Sequence, residues 1–74
     1  MKLYNVPRNT WVRTVPGLPG KDVPPGAPTI EYGERIFFDH LDGMYSFCRK
    51  EDGTICHLAV WQDVMIDEDQ ENPN

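Results

Sequence analysis

Four side chains of the kinds that hold metals or act as nucleophiles lie in the second half of the chain: His40, Cys48, Cys56 and His57. A structural zinc site uses four such ligands, usually in close pairs such as Cys-x2-Cys. Here seven residues separate His40 from Cys48, and seven more separate Cys48 from Cys56. Cys56 and His57 are adjacent, so in a strand their side chains point to opposite faces and do not share one ion. We therefore expect no metal site and no cofactor.

A thiolate beside an imidazole would be a nucleophile with its base, and Cys48 could lie opposite His57 in a hairpin. Such a site also needs an oxyanion hole, an orienting group and a cleft, for which 74 residues leave little room. The acids Asp39, Asp42 and Asp52 lie at strand ends and turns, where Asp is locally favoured. The chain contains no Gly-rich phosphate loop and no Walker pattern. We expect a protein that is not an enzyme.

Aromatic side chains are more numerous than a small core can enclose, since the chain has eight of them. Exposed aromatic side chains with a polar rim are common anchors of protein interfaces. We predict an interaction surface at Tyr32 and Phe37, near the Pro-rich segment, and at Trp11 and Trp61. The alternative is that all eight rings are shared between the core and the underside of that segment.

Charge is distributed unevenly along the chain, whose net charge is -5. Residues 1–30 hold four basic and one acidic side chain, whereas residues 31–74 hold three basic and eleven acidic ones. Generic nucleic-acid binding needs the opposite balance and is therefore disfavoured. No stretch approaches the roughly 18 apolar residues of a membrane span, and the N-terminus lacks the apolar run of a signal peptide. With two cysteines expected to be free, buried thiols, these features favour a cytoplasmic protein.

Period-two alternation and turn residues predict an all-β chain with a single domain over residues 1–66. Residues 16–28 hold five of the seven prolines and are expected to form a long loop with polyproline II character. Residues 67–74 hold four acids and no apolar side chain, and are expected to form a disordered acidic tail. Strands are predicted at residues 10–15, 34–41, 44–50, 54–61 and 64–66. In the second of these, Ile36 and Phe38 are placed inside and Phe37 is left partly exposed.

Asp52-Gly53 predicts a tight hairpin with two candidate registers. A two-residue turn places Cys48 opposite His57 and lines Tyr45, Phe47, Leu58 and Val60 along one apolar face. A three-residue loop with a glycine bulge instead places Cys48 opposite Cys56. Since register follows the buried face, we predict the first arrangement, in which the two cysteines lie on opposite faces and cannot form a disulfide.

Five strands in meander order, with the longest loop between the first two, resemble the layout of SH3-like small β-barrels over roughly residues 10–66. The resemblance implies a small five-stranded antiparallel barrel, with residues 16–28 as its long first loop. The chain has no Ala-Leu-Tyr-Asp-Tyr-type stretch and no adjacent tryptophan pair, so proline-peptide binding is not carried over. The alternative architecture is an open, strongly twisted sheet of four strands covered on one side by the Pro-rich loop.

These features favour a non-catalytic protein-binding module that acts through an unknown protein partner or through self-association. A compact acidic chain of this kind also resembles small phage or mobile-element accessory proteins, which implies docking on a host protein. The alternative function is single-stranded nucleic-acid binding, in which bases stack on aromatic side chains of the barrel face.

Overall fold

The computed structural model describes residues 1–15, 26, 28–31 and 33–71. The prediction of an all-β chain is confirmed, because the described residues form a five-stranded antiparallel sheet and almost no helix. Among the described residues, no helix has the length and apolar character needed to cross a membrane. The predicted loop at residues 16–28 lies outside the described residues apart from Gly26 and Pro28. The strands are β1 (Thr10–Thr14), β2 (Arg35–Asp42), β3 (Tyr45–Lys50), β4 (Ile55–Cys56) and β5 (Val64–Ile66), and a single 3-10 turn covers Leu3–Asn5.

The five strands lie in the order β4-β3-β2-β1-β5, and every neighbouring pair is antiparallel. The prediction of a barrel is wrong, because the sheet is not closed. The strand predicted at residues 54–61 shortens to the two residues of β4, which leaves too little strand to pair with β5. The chain after β4 bonds to the N-terminal segment instead. Leu3 N–H donates to Gln62 O at 2.9 Å, and Tyr4 N–H donates to Val60 O at 3.0 Å.

One face of the sheet carries the hydrophobic core. Ile36 and Phe38 lie inside it, as the alternation along β2 predicts. The buried cluster is completed by one side chain or more from each other strand and by the segments that cross that face: Leu3, Val6, Val12, Ile30, Cys48, Cys56, Leu58 and Val64.

The opposite face of the sheet carries arginines and rings. Across the neighbouring strands Trp11 pairs with Phe37, Arg13 pairs with Arg35, and Phe37 pairs with Arg49. We call these five residues the outer face. Because they alternate with core residues along β1, β2 and β3, the period-two pattern alone determines their side of the sheet.

The hairpin between β3 and β4 has the second of the two candidate registers, so the prediction of the first is wrong. Cys48 lies opposite Cys56, and Arg49 lies opposite Ile55. The two cysteines therefore share the core face, and the expectation that they lie on opposite faces is wrong as well. The pattern misleads here because both faces of the hairpin carry apolar side chains, so apolar content does not identify the buried one.

The turn of this hairpin explains its register. Gly53 N–H donates to Lys50 O at 3.0 Å, and Lys50 N–H donates to Thr54 O at 2.8 Å. Gly53 has a φ of 90°, in the left-handed region that glycine reaches without strain. This is a three-residue loop closed by a glycine bulge, and it shifts the pairing by one residue relative to a two-residue turn.

The acidic residues after β5 pack against the sheet. The prediction of a disordered tail without partners is wrong for residues 67–71, which hydrogen-bond to β1 and β2. The prediction rested on the absence of apolar side chains, but this segment is held by ion pairs and backbone hydrogen bonds. We call residues 67–71 the acidic segment. Residues 72–74 lie outside the described residues.

Candidate functional site

Of the four residues predicted to form an interaction surface, Trp11 and Phe37 lie together but are buried. Trp11 is 2% exposed and Phe37 is 8% exposed, so the expectation that these two rings lie at the surface is wrong. They pack edge to face, with ring centroids 5.1 Å apart, because they are paired across β1 and β2. Trp61 is 40% exposed. Tyr32 lies outside the described residues.

Arginines cover the two buried rings of the outer face. The guanidinium carbon of Arg35 lies 3.9 Å from the centroid of the Trp11 ring, and that of Arg49 lies 5.2 Å from the Phe37 ring. A planar guanidinium stacks on an aromatic face and is more weakly hydrated than an ammonium group, so it is suited to this partly dry position. The outer face is therefore a layer of rings beneath cations.

Two of the three cations of the outer face form ion pairs with Asp67. Arg35 Nε donates to Asp67 Oδ2 at 2.6 Å, and Arg13 Nε donates to Asp67 Oδ1 at 3.2 Å. These two hydrogen bonds hold the pKa of Asp67 below its usual range, and the bond from Arg35 has the larger effect. Arg35 is 8% exposed, and an arginine this deeply buried needs such a partner.

Gln70 fixes the acidic segment to the backbone of β1. The backbone N–H of Trp11 donates to Gln70 Oε1 at 2.7 Å, and Gln70 Nε2 donates to the Trp11 carbonyl at 3.0 Å. Sequence reasoning missed both Asp67 and Gln70. The available signal was the pair of arginines, Arg13 and Arg35, at strand positions on one face, since arginines there call for an acidic partner from elsewhere in the chain.

Exposed apolar side chains also lie on adjoining chain segments. Tyr4 is 54% exposed and Met44 is 64% exposed. Both segments bond to the residue before Trp61: Tyr4 N–H donates to Val60 O at 3.0 Å, and Val60 N–H donates to Met44 O at 3.0 Å. We call Tyr4, Met44 and Trp61 the Trp61 patch.

The two thiols are poorly suited to nucleophilic chemistry. Burial raises the pKa of Cys48 to about 11 and that of Cys56 to about 12, so both are protonated at neutral pH. Cys48 Sγ lies 3.1 Å from Ser46 Oγ, a hydroxyl that also donates to the carbonyl of Leu58. These contacts make the cysteines part of the packed core.

The two histidines belong to an aromatic row rather than to a thiol site. His40 stacks on Phe47 with centroids 5.5 Å apart, and the edge of His57 meets Phe47 at 5.9 Å. His57 Nδ1 lies 2.9 Å from Ser46 O, and because a carbonyl only accepts, this nitrogen carries the proton. In the part of the chain that the structure describes, no three His, Cys, Asp or Glu side chains are grouped to hold a metal ion.

Comparison with protein-family models, with curated proteins and with solved structures finds no significant match for this chain. Within the described fold, the guanidinium groups of Arg13 and Arg35 on the outer face bind the acidic segment.

Proposed function

We propose that the protein is a non-catalytic protein-binding module that engages a protein partner through the Trp61 patch. The observation that carries this proposal is the joint exposure of Tyr4, Met44 and Trp61 on segments bonded to one another. Tryptophan and tyrosine are enriched among the residues that dominate binding energy at protein interfaces.

The surroundings of the Trp61 patch support this function. Lys2 Nζ and Asp63 Oδ2 form an ion pair at 2.8 Å on the two segments that supply Tyr4 and Trp61, which provides charged groups close to the patch. The same segments are anchored from beneath by the fully buried Leu3. A surface whose backbone is already fixed loses little conformational entropy on binding. The protonated, buried thiols support a role without catalysis.

The test compares Trp61→Ser with Ile55→Ser, a matched control at an exposed apolar residue of β4. Ile55 pairs with Arg49 near the end of β3, whereas Met44 precedes the start of that strand. Proteins captured from the native cell are purified, and their affinity for each variant is measured by titration calorimetry. Loss of an interface anchor costs about 2 kcal/mol or more, so Trp61→Ser should weaken binding by roughly 30-fold.

Self-association is measured in parallel by sedimentation equilibrium, because a second copy of the chain is one protein that could occupy the patch. Ile55→Ser should behave as the unmodified chain in both measurements. A partner whose affinity is the same for Trp61→Ser and for the unmodified chain would refute the proposed surface. So would a dimer that persists unchanged in Trp61→Ser.

The second candidate function is single-stranded nucleic-acid binding, favoured by the alternation of Arg13, Arg35 and Arg49 with two rings on the outer face. Two features oppose it: Arg35 already covers the Trp11 ring, and Asp67 already forms ion pairs with two of the three guanidinium groups. Fluorescence anisotropy with labelled oligothymidine at low salt tests this candidate. Absence of binding at low salt would remove it.

A further inference from the structure

The acidic segment lies on the outer face in the manner of a bound peptide. Its first residue, Asp67, places one carboxylate oxygen on Arg13 and the other on Arg35. Arg35 Nη2 also donates to the carbonyls of Asp69 and Glu71, at 2.7 and 3.2 Å. One guanidinium thus binds a side-chain carboxylate and two main-chain carbonyls of the acidic segment.

The strand backbone supplies the remaining contacts of the acidic segment. Asp67 N–H donates to the carbonyl of Trp11 at 3.0 Å, and the Gln70 side chain both donates to and accepts from the backbone of Trp11. The side chains of residues 68–71 are exposed. The segment is therefore held by polar contacts, each of which another acidic peptide could make in its place.

We propose that the outer face is a binding site for an acidic peptide of a partner protein, and that the acidic segment is its internal competitor. The site consists of the guanidinium groups of Arg13 and Arg35 and the backbone of Trp11. Asp67 and Gln70 define the recognised pattern, a carboxylate followed three residues later by a primary amide. This surface is separate from the Trp61 patch and does not depend on it.

The buried indole of Trp11 supports the proposal. Its Nε1–H has no hydrogen-bond partner among the described residues, although buried donors are nearly always satisfied. The acidic segment therefore supplies no acceptor to this donor. A peptide ligand with a carbonyl or carboxylate within hydrogen-bond distance of Trp11 Nε1 would satisfy this donor. Such a ligand would bind the outer face more tightly than the acidic segment does.

A peptide fits the outer face better than a nucleic acid does. Base stacking would require open ring faces, whereas the Trp11 ring is covered by Arg35 on one side and met by Phe37 at 5.1 Å. The contacts from Arg35 to the carbonyls of Asp69 and Glu71 show that this guanidinium can bind a polypeptide main chain. Binding of a nucleic acid in preference to the peptide is therefore one of the results that would contradict the proposal.

The test removes the competitor and supplies it again as a separate molecule. A variant ending at Ile66 is titrated against a fluorescein-labelled peptide with the sequence of residues 67–71, and binding is followed by anisotropy. We expect the shortened chain to bind this peptide at least tenfold more tightly than the full chain does. A peptide with Asn in place of its first Asp, and a scrambled peptide of the same composition, should each bind at least tenfold more weakly. Added salt should weaken binding of the parent peptide.

Circular dichroism establishes whether the shortened chain folds. A folded variant that binds none of the peptides, or binds the scrambled one equally well, overturns the proposal. Tighter binding of oligothymidine than of the peptide overturns it as well. If the shortened chain is unfolded, the deciding variant is Asp67→Asn in the full chain, which should bind the added peptide more tightly than the unmodified chain. Equal binding by those two chains would overturn the proposal.

Discussion

Arg35 is on the outer face of β2 and is almost entirely shielded from water. Its guanidinium lies between the Trp11 ring and the carboxylate of Asp67, with Glu51 Oε2 at 3.6 Å. Replacing a buried ion pair as a whole by apolar residues can be neutral, whereas removing one partner leaves an uncompensated charge. The stability of this region therefore depends on Asp67 remaining ionised.

That dependence predicts the acid sensitivity of the protein. The pKa of Asp67 is lower in the folded chain than in the unfolded one, where it is about 4. Its stabilising contribution is therefore fully present above that pH and is lost as pH falls through the lower, folded pKa. Asp67→Asn should lower the melting temperature at neutral pH. The difference in melting temperature between this variant and the unmodified chain should become smaller as the solution is acidified below about pH 4.

Thermal unfolding followed by circular dichroism from neutral pH to strong acid measures this difference. Glu68→Gln is the matched control, since it makes the same change of charge at an exposed side chain of the same segment. The control should follow the unmodified chain at every pH. A difference between Asp67→Asn and the unmodified chain that stays constant across the range would contradict the assignment.

Single residues also show where sequence reasoning succeeds and where it stops. Alternation along β2 places Ile36 and Phe38 inside correctly, because the period of a strand is local information. The burial of Phe37 does not follow from that period, since it depends on Arg49 and Trp11, which lie on neighbouring strands. Which side chains cover a face of the sheet depends on how distant strands pair, so the local sequence pattern does not predict it.

At the scale of elements, the β3–β4 hairpin is controlled by its turn. Gly53 has a φ of 90°, and a Cβ added there would meet no atom within 4 Å. The cost of Gly53→Ala is therefore one of backbone conformation alone, about 1 kcal/mol of unfolding free energy. Gly53→Asn should cost less, because asparagine adopts the left-handed region more readily.

Urea denaturation measures the loss of unfolding free energy in each of the two variants. Gly53→Asn is the control, because it also removes the glycine but places there a side chain that tolerates a positive φ. A Gly53→Ala variant as stable as the unmodified chain would show that the glycine conformation does not hold the register. Equal costs for Ala and Asn would show the same, since only one of the two side chains tolerates this φ well.

The elements themselves are largely predictable from the sequence, and their pairing is less so. The strands expected at residues 10–15, 34–41, 44–50 and 64–66 are found with ends shifted by at most one residue, because their patterns end at turn residues or at a break in the apolar run. The strand expected at residues 54–61 shrinks to β4, and beyond it the carbonyl of Val60 accepts a hydrogen bond from Tyr4 N–H of the N-terminal segment. The prediction of the hairpin register is wrong because both faces of the hairpin carry apolar side chains.

At the scale of the whole molecule, one thin core supports the entire described fold. Phe38 is among the largest fully buried side chains, and Phe38→Ala should cost about 3 to 5 kcal/mol. At about 0.05 to 0.15 kcal/mol per residue, a chain of this length has roughly 4 to 11 kcal/mol in total. The substitution therefore removes a large share of the stability or unfolds the protein.

Urea denaturation at neutral pH tests this expectation, with Met44→Ala as the exposed control. That control should stay within about 0.5 kcal/mol of the unmodified chain, as surface substitutions do. A Phe38→Ala variant whose transition midpoint matches that of the control would show that the packing around β2 contributes little. The open sheet would then have to be stabilised mainly by the outer face.

The acids that follow β5 have a colloidal consequence beyond their contacts with Arg13 and Arg35. Residues 67–74 contain four acids, so a chain that lacks them would carry a net charge of -1 instead of -5. Proteins close to electroneutrality associate more readily. Proteolytic removal of residues 67–74 should therefore lower the solubility of the protein, so that the shortened chain precipitates at a lower concentration than the full chain.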